Sequence, residues 1–321
     1  MMRILLLATL VLLGSCATRT PGTYSFALIG DLQYTPFEER VFPKLIDALN
    51  AEDLAFVVHL GDIKSGGNSP CTDALYASRK ADFERSAHPF ILLPGDNDWV
   101  DCRRKSNNRG DPLERLAAFR RTFYPAPESL GVRKMRPERQ SERGGEFAPY
   151  VENTMWEKGG VVFVALNIQA SNDNVGFDAA SDAEQRVRVR ANIAWMKEAF
   201  QRAHRSNALG VVLFQQANPG FEEPADEVRA SALKETIEAF EAEARGSPLP
   251  VIFAHGDTHT FRVDRPYRSP LDKRAIANVT RIEGYGSPHI NWVRITIDPR
   301  AGASPFRIES GGFAPEVRED H

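Results

Sequence analysis

The chain has 321 residues, and 40 lysines and arginines against 43 aspartates and glutamates give a formal net charge of −3. This length is sufficient for one large domain or two small ones with a substantial core. The near-neutral charge argues against a protein that coats nucleic acid, because such proteins usually carry a basic stripe, and no specific nucleic-acid partner is evident. Beyond the N-terminal segment, no stretch is apolar enough to span a bilayer.

The N-terminal stretch MMRILLLATLVLLGSC contains one arginine, an apolar run, small residues and a cysteine. This pattern predicts an exported protein with a signal peptide over residues 1–15. The last four residues resemble a bacterial lipobox, in which the cysteine is lipidated, so Cys16 would begin the mature chain and residues 16–22 would tether it. Since Ala17 follows rather than an aspartate, we expect the outer membrane, facing the periplasm. An ordinary cleavage site with an incidental cysteine is the alternative.

The remaining chain alternates predicted strands and helices, which indicates the α/β class. Predicted strands cover residues 24–29, 55–60, 89–93, 208–214, 250–255 and 290–298, and predicted helices cover 37–49, 72–87, 112–123, 182–206 and 227–245. A hairpin is expected around Lys158-Gly159-Gly160, which argues against a purely parallel sheet. Residues 125–150 read as a long surface loop or small cap.

Cys71 and Cys102 are the two cysteines of the mature chain besides Cys16. An exported compartment is oxidising, and both residues lie in glycine- and asparagine-rich loops that a covalent link would stabilise. We therefore expect a disulfide between them, with two buried free thiols as the alternative.

Gly-Asp pairs recur where predicted strands end. The pairs are Gly30-Asp31, Gly61-Asp62, Gly95-Asp96 and Gly256-Asp257. Ligand sites of α/β sheets lie at the carboxyl ends of strands, so these acids are expected to converge. Converging carboxylates repel one another unless protons or cations intervene, which predicts a metal site. An α/β protein with unrelated acidic turns is the alternative.

The order and strand context of these motifs resemble the calcineurin-like metallophosphoesterases. That family carries Asp-x-His, Gly-Asp, Gly-Asn-His, a lone histidine after a strand, and Gly-His-x-His, in this order. The corresponding stretches here are GDLQ at 30–33, GD at 61–62, GDND at 95–98, FQQ at 214–216 and GDTH at 256–259. The resemblance spans about residues 24–298 and implies two facing mixed β-sheets flanked by helices. The implied domain covers 23–300 with an insertion at 103–150, and 301–321 form a C-terminal extension.

The resemblance also implies a set of metal ligands. Asp31, Gln33 and His259 would hold one ion, Asp62 would bridge, and Asp96, Asp257 and either Gln215 or Gln216 would hold the other. The choice between the glutamines stays open, because Gln215 directly ends the strand whereas Gln216 would suit a strand one residue longer. These positions carry four aspartates where the family has two. An oxygen-rich set with one imidazole suits Mn²⁺, Mg²⁺, Fe²⁺ or Ca²⁺ better than Zn²⁺.

The implied activity is hydrolysis of a small-molecule phosphoester by a water or hydroxide that bridges two metal ions. Asn97 occupies the place of the family's catalytic histidine, and an amide can donate a hydrogen bond but cannot give up a proton. We therefore expect a preference for good leaving groups, or another acid such as Asp98 or His255. Asp98 could instead hold the loop, and His255 could lie in the core or behind the ligands.

The missing imidazoles leave a second hypothesis of another class open. The same fold could hold one structural cation, or none, and act in binding with weak or absent catalysis.

Overall fold

The computed structural model describes residues 22–314. The expected signal peptide, Cys16 and all but the last residue of the expected tether lie outside this range, so their assignment stays a prediction. Within residues 22–314, none of the helices combines the length and the apolar character needed to cross a membrane.

Two mixed β-sheets form the centre of the molecule. The first has five strands in the order β14-β13-β1-β2-β3, and the second has seven in the order β4-β5-β6-β7-β8-β12-β9. The strands are β1 (Tyr24–Ile29), β2 (Val57–His59), β3 (Phe90–Leu92), β4 (Glu138–Arg139), β5 (Thr154–Lys158), β6 (Val161–Ala165), β7 (Gly210–Phe214), β8 (Val251–His255), β9 (Arg262–Asp264), β12 (Val279–Glu283), β13 (Val293–Ile297) and β14 (Phe306–Ser310). A separate ribbon pairs β10 (Tyr267–Arg268) with β11 (Ala275–Ile276).

Side-chain alternation along the strands explains why the sheets face each other. Phe26 and Leu28 of β1 pack with Phe163 of β6 in a core between the two sheets. Ala27 and Ile29 point to the other side of the first sheet, where they belong to a separate core formed with helices. Because successive residues of a strand alternate between its two faces, an uninterrupted apolar run is needed where both faces are covered.

Helices cover the outer face of each sheet. They are α1 (Pro36–Asn50), α2 (Asp73–Phe83), α3 (Pro112–Phe123), α4 (Ala179–Arg205), α5 (Ala225–Ala230) and α6 (Lys234–Gly246). Residues of α1, α2 and α3 pack on the first sheet, and residues of α4 and α6 pack on the second. The predicted class, two facing mixed sheets flanked by helices, is therefore confirmed. Asp111 caps α3, accepting from the Leu113 N–H at 2.9 Å.

The expected disulfide between Cys71 and Cys102 is present, with the two Cα atoms 5.7 Å apart. It links the segment before α2 to the loop after β3. Both sulfur-bearing residues are buried and pack in the core on the outer face of the first sheet. The disulfide therefore anchors the GDND-containing loop to the helical layer.

The structure departs from the predicted elements in the second half of the chain. The predicted single helix over 227–245 is wrong, because extended backbone at Ser231 separates α5 from α6. The Ser231 hydroxyl donates to the Val228 carbonyl and accepts from the Leu233 N–H, a local pairing that competes with a continuous helix. The first sheet also continues past the expected domain end at residue 300, because β14 pairs antiparallel with β13.

Strand β12 was missed because it carries charges inside the second sheet. Arg281 and Glu283 are both buried and form an ion pair at 2.8 Å. Their mutual neutralisation permits charged residues in a strand that pairs parallel with β8 and antiparallel with β9. An apolar-run search does not find such a strand.

The parallel parts of the two sheets determine where the loops converge. Strands β1, β2 and β3 run parallel, as do β6, β7, β8 and β12. Parallel neighbours present their carboxyl ends at the same edge. The loops that contain the Gly-Asp pairs follow β1, β2, β3 and β8, and the glutamine pair follows β7.

Candidate metal centre

The aspartates of the four Gly-Asp pairs lie in the loops at this edge. Asp31, Asp62 and Asp96 are nearly fully buried, and Asp257 is partly buried. One carboxylate oxygen from each of Asp62, Asp96 and Asp257 lies within 4.8 Å of the other two. The acids therefore lie close together, as their positions after the strands predict.

Left-handed backbone at the aspartates, and glycines before them, allow the carboxylates to approach one another closely. Asp31 and Asp62 have φ angles of 54° and 58°, which bend the chain sharply where each strand ends. A Cβ on Gly95 would lie 2.0 Å from Asp62 Oδ1, and one on Gly256 would lie 2.2 Å from Asp31 Oδ2. The glycines are thus required because a neighbouring carboxylate occupies the space of a side chain.

Asp31 and His259 lie next to each other, and each has one ligand atom without a hydrogen-bond partner among residues 22–314. Asp31 Oδ1 accepts from the Asp257 N–H at 3.0 Å, whereas Asp31 Oδ2 is buried without a hydrogen-bond partner. His259 Nδ1 lies 2.7 Å from the Ser287 carbonyl oxygen, so this nitrogen carries the proton when the ring is neutral. The Nε2 lone pair then faces Asp31 Oδ1 at 3.7 Å, the arrangement of a histidine oriented for a metal ion.

Gln33 is held by helix α2. Its Nε2 donates to Asp82 at 2.9 Å, and its Oε1 is buried without a partner. An amide fixed by its nitrogen keeps its oxygen free to accept from a cation. The ligand role predicted for Gln33 is compatible with this orientation and stays a prediction.

The two glutamines after β7 occupy different environments. Gln216 Nε2 lies 3.2 Å from Asp62 Oδ2, 3.0 Å from Asp96 Oδ1 and 3.3 Å from Asp257 Oδ1. Gln215 instead donates to the Ala217 carbonyl at 2.8 Å and has no hydrogen bond to the acids. Of the two alternatives, the structure therefore brings Gln216 into the acidic cluster. It does so with the donor end of the amide, whereas a metal ligand would present the oxygen.

Ser171 is a neighbour of the cluster that the sequence analysis missed. Its hydroxyl lies 2.6 Å from Asp96 Oδ2 and 3.0 Å from Asp101 Oδ1. It begins the segment 171–174, in which four consecutive residues have positive φ angles from 49° to 70°. The polar sequence Ser-Asn-Asp-Asn tolerates this left-handed turn, which is the one signal the sequence offered.

Asn97 lies beside Asp62. Its backbone N–H donates to Asp62 Oδ1 at 3.0 Å, and its Nδ2 donates to the Tyr34 hydroxyl at 2.9 Å. Tyr34 in turn donates to Asp62 Oδ2 at 3.1 Å. Tyr34 was also missed by sequence reasoning, although it directly follows Gln33 in the first motif. These contacts orient the Asn97 amide toward the acidic cluster.

The carboxylate of Asp98 holds the loops together. It accepts backbone N–H groups of Asp62 at 3.0 Å, Ile63 at 2.8 Å and Gly95 at 2.8 Å. Of its two roles considered from sequence, these three bonds favour the loop-holding one over that of a proton donor. Behind the loop, the buried Lys64 donates to the Asn97 carbonyl at 2.8 Å, and burial lowers the pKa of Lys64.

His255 lies in the protein interior with both ring nitrogens engaged. Its Nδ1 is 2.8 Å from the Gly256 carbonyl oxygen, and its Nε2 accepts from Arg281 Nε at 2.9 Å. Burial lowers the pKa of His255 to about 3, so the ring is neutral. Within residues 22–314, its side chain forms no hydrogen bond to the predicted ligands, and the geometry gives it a structural role.

Burial and mutual repulsion make the carboxyl groups hard to ionise without a cation. Burial, followed by repulsion from neighbouring aspartates, raises the pKa of Asp31 and Asp62 well above the usual range. Burial, with repulsion from Asp96, raises the pKa of Asp257 to about 7. Burial also raises the pKa of Asp98 to about 7, against its three backbone hydrogen bonds.

The ligand atoms of this centre fit a divalent cation. Asp31 supplies a buried carboxylate oxygen without a partner, and His259 supplies an imidazole nitrogen with the correct tautomer. Asp62 contributes a second buried carboxylate. A cation would relieve the repulsion that raises their pKa values.

Comparisons with known proteins agree with this geometry. A sequence model described as calcineurin-like phosphoesterase matches residues 24–261. Among solved structures, the chain resembles PhoD with a TM-score of 0.56 at 14% identity, covering 91% of this chain and 69% of that one. It also resembles a dimetal phosphatase from Danio rerio with a TM-score of 0.52 at 14% identity, covering 89% and 98%. At such identities the structural likeness shows the fold. No curated protein sequence matches the chain significantly.

The stability of the metal-free protein should fall as the pH rises. The pKa values of Asp98 and Asp257 are raised from 3.8 to about 7, so the folded state binds more protons than the unfolded state between these values. Their contribution to the free energy of unfolding is full below about pH 4 and is lost as the pH rises through about 7. Chelator-treated protein should therefore melt several degrees lower at pH 8 than at pH 5.

Saturating Mn²⁺ should suppress this decrease, and Asp257→Asn should weaken it in the metal-free protein. Melting curves at both pH values, with and without metal, provide the measurement. Equal melting temperatures of chelator-treated protein at pH 5 and pH 8 would contradict the account.

Proposed function

Because the chain belongs to the calcineurin-like phosphoesterase family, we propose that it hydrolyses phosphoesters with the help of divalent cations held by the Gly-Asp loops. The observation that carries this proposal is the pairing of Asp31 with His259. Both present free ligand atoms beside three further carboxylates. Mn²⁺, Mg²⁺, Fe²⁺ or Ca²⁺ would suit this oxygen-rich set better than Zn²⁺.

Cations bound there would polarise the phosphoryl oxygens and favour ionisation of an attacking water. The protein's own part is to hold Asp31 and Asp62 in place through backbone N–H donors and to orient His259 through Ser287. The Asn97 side-chain amide, which donates one hydrogen to the Tyr34 hydroxyl, has a second hydrogen that can be donated to a phosphoryl oxygen.

A cavity of about 340 Å³ adjoins Asp257 and offers room for a small substrate. Its wall includes the Asn218 amide, the Thr258 and Thr260 hydroxyls and Arg262, together with the acids Glu222, which pairs with Arg262, and Glu223. Hydroxyl, amide and guanidinium groups are the donors that phosphate esters prefer. We therefore propose a small-molecule phosphoester as the substrate.

A binding role with weak catalysis is the second candidate. Two observations favour it: Asn97 cannot give up a proton, and Gln216 directs donor hydrogens at three carboxylates. Cation binding without turnover would be its signature.

Reloading metal-stripped full-length protein with Mn²⁺ or Mg²⁺ should produce hydrolysis of aryl phosphomonoesters or phosphodiesters. Asp62→Asn should lower kcat/KM by at least about 100-fold, because even groups that only orient metal ligands contribute 10- to 100-fold. Asp53→Asn, at an exposed aspartate, should leave the rate unchanged. Melting curves would show that both variants fold. Metal-loaded, folded protein without turnover on either ester class would favour the binding role.

The rate should depend steeply on the leaving group. Asn97 cannot protonate the departing oxygen, so kcat/KM should fall at least about 100-fold from 4-nitrophenyl to phenyl phosphate. Asn97→His restores a group that can give up a proton and should flatten this dependence. A wild-type rate that is insensitive to the leaving group would show that another acid acts.

We also propose that the protein is exported and anchored by a lipid on Cys16 to the outer membrane, facing the periplasm. The N-terminal sequence pattern supports this placement, and the disulfide between Cys71 and Cys102 suits an oxidising compartment. Cys16→Ser should move the full-length chain from the membrane fraction to the soluble or uncleaved form on cell fractionation. Membrane recovery and electrophoretic mobility identical to wild type would contradict a lipid on Cys16.

A further inference from the structure

Gln216 is one of the two glutamines that the family resemblance offers as a ligand of the second metal ion, and it is the one whose amide lies among the acids. We propose that this amide closes the second cation position, and that the chain holds one tightly bound divalent ion, beside Asp31 and His259. The inference deepens the proposed function and rests on its metal dependence.

Gln216 Nε2 lies among three carboxylate oxygens. It lies 3.2 Å from Asp62, 3.0 Å from Asp96 and 3.3 Å from Asp257. These same residues provide oxygens within 4.8 Å of one another, a spacing that could hold a cation. A cation on these oxygens would lie about 2.0–2.6 Å from each, so it would overlap the amide nitrogen. The amide and a second ion therefore compete for one place.

Hydrogen bonds to neighbouring backbone groups fix the orientation of the Gln216 side-chain amide. Gln216 Oε1 accepts from the Ala170 N–H at 2.9 Å. The backbone of Gln216 is also paired, donating to Ile168 at 3.1 Å and accepting from Gly256 at 3.0 Å. Turning the oxygen toward the acids would set the amide hydrogens against the Ala170 N–H. The loss of this partly buried bond would weaken the binding of a second ion by roughly 10- to 100-fold.

The first cation position, beside Asp31 and His259, differs from the second. Asp31 Oδ2 and Gln33 Oε1 are buried without partners, and neither residue exposes more than 2% of its surface. His259 Nε2 faces Asp31 with its lone pair. Within residues 22–314, no hydrogen-bond donor is bonded to Asp31 Oδ2 or Gln33 Oε1, so an ion that binds these two oxygens displaces none. The two positions are therefore unequal in the folded chain.

The test is the number of Mn²⁺ ions that each full-length protein retains after gel filtration. Metal content per chain is measured by mass spectrometry, and electron paramagnetic resonance distinguishes isolated from coupled ions. Gln216→Glu replaces the donor by a carboxylate of the same shape, while Gln215→Glu is the matched control next to it. The expected values are one ion for wild type, two coupled ions for Gln216→Glu, and one for Gln215→Glu.

Each other outcome has a distinct meaning. Two ions in wild-type protein would overturn this inference and leave the proposed function intact. No ion in wild-type protein would overturn both. One ion in folded Gln216→Glu would show that the amide is not what closes the second position. If Gln216→Glu does not fold, Gln216→His carries the same expectation of two ions.

Discussion

Repulsion among the buried aspartates is the constraint on which the rest of the centre depends. Asp31, Asp62 and Asp96 have almost no exposed surface, and the carboxylates of Asp62, Asp96 and Asp257 lie within 4.8 Å of one another. Such an arrangement is stable only with protons, hydrogen-bond donors or cations between the charges. The protein itself relieves part of this repulsion with hydrogen-bond donors to the carboxylates. These donors are backbone N–H groups, the Tyr34 and Ser171 hydroxyls and the Gln216 amide. A divalent ion would supply the charge that these neutral groups cannot.

The fold serves this constraint by bringing distant loops to one edge. The loops after β1, β2 and β3 come from one sheet, and those after β7 and β8 come from the other. At Gly95 and Gly256, glycine precedes the aspartate because the carboxylate of a neighbouring loop fills the place of a side chain. Asp98 then fixes two of these loops against each other through three backbone N–H groups. The rigidity of the centre is thus built into the residues next to the ligands.

The alternation of apolar runs with helical patterns predicted the α/β class, and the resemblance of the Gly-Asp motifs to the calcineurin-like phosphoesterases implied the two facing sheets. The prediction failed where charges or local hydrogen bonds override such patterns, as at β12 with its Arg281–Glu283 pair and at the Ser231 break. The acids were found by position after strands, which depends on sequence alone. Tyr34 and Ser171 were missed because their contacts arise only when loops far apart in the chain meet. The choice between Gln215 and Gln216 likewise required side-chain directions.

Anomalous X-ray diffraction from crystals of the Mn²⁺-loaded protein tests the central claim most directly, because it locates the ion among the side chains. We expect a strong peak between Asp31 and His259, with Asp62 alongside. We also expect that the Gln216 amide stays among Asp62, Asp96 and Asp257. The absence of any peak at these carboxylates, in crystals that contain Mn²⁺, would contradict the assignment of a metal centre.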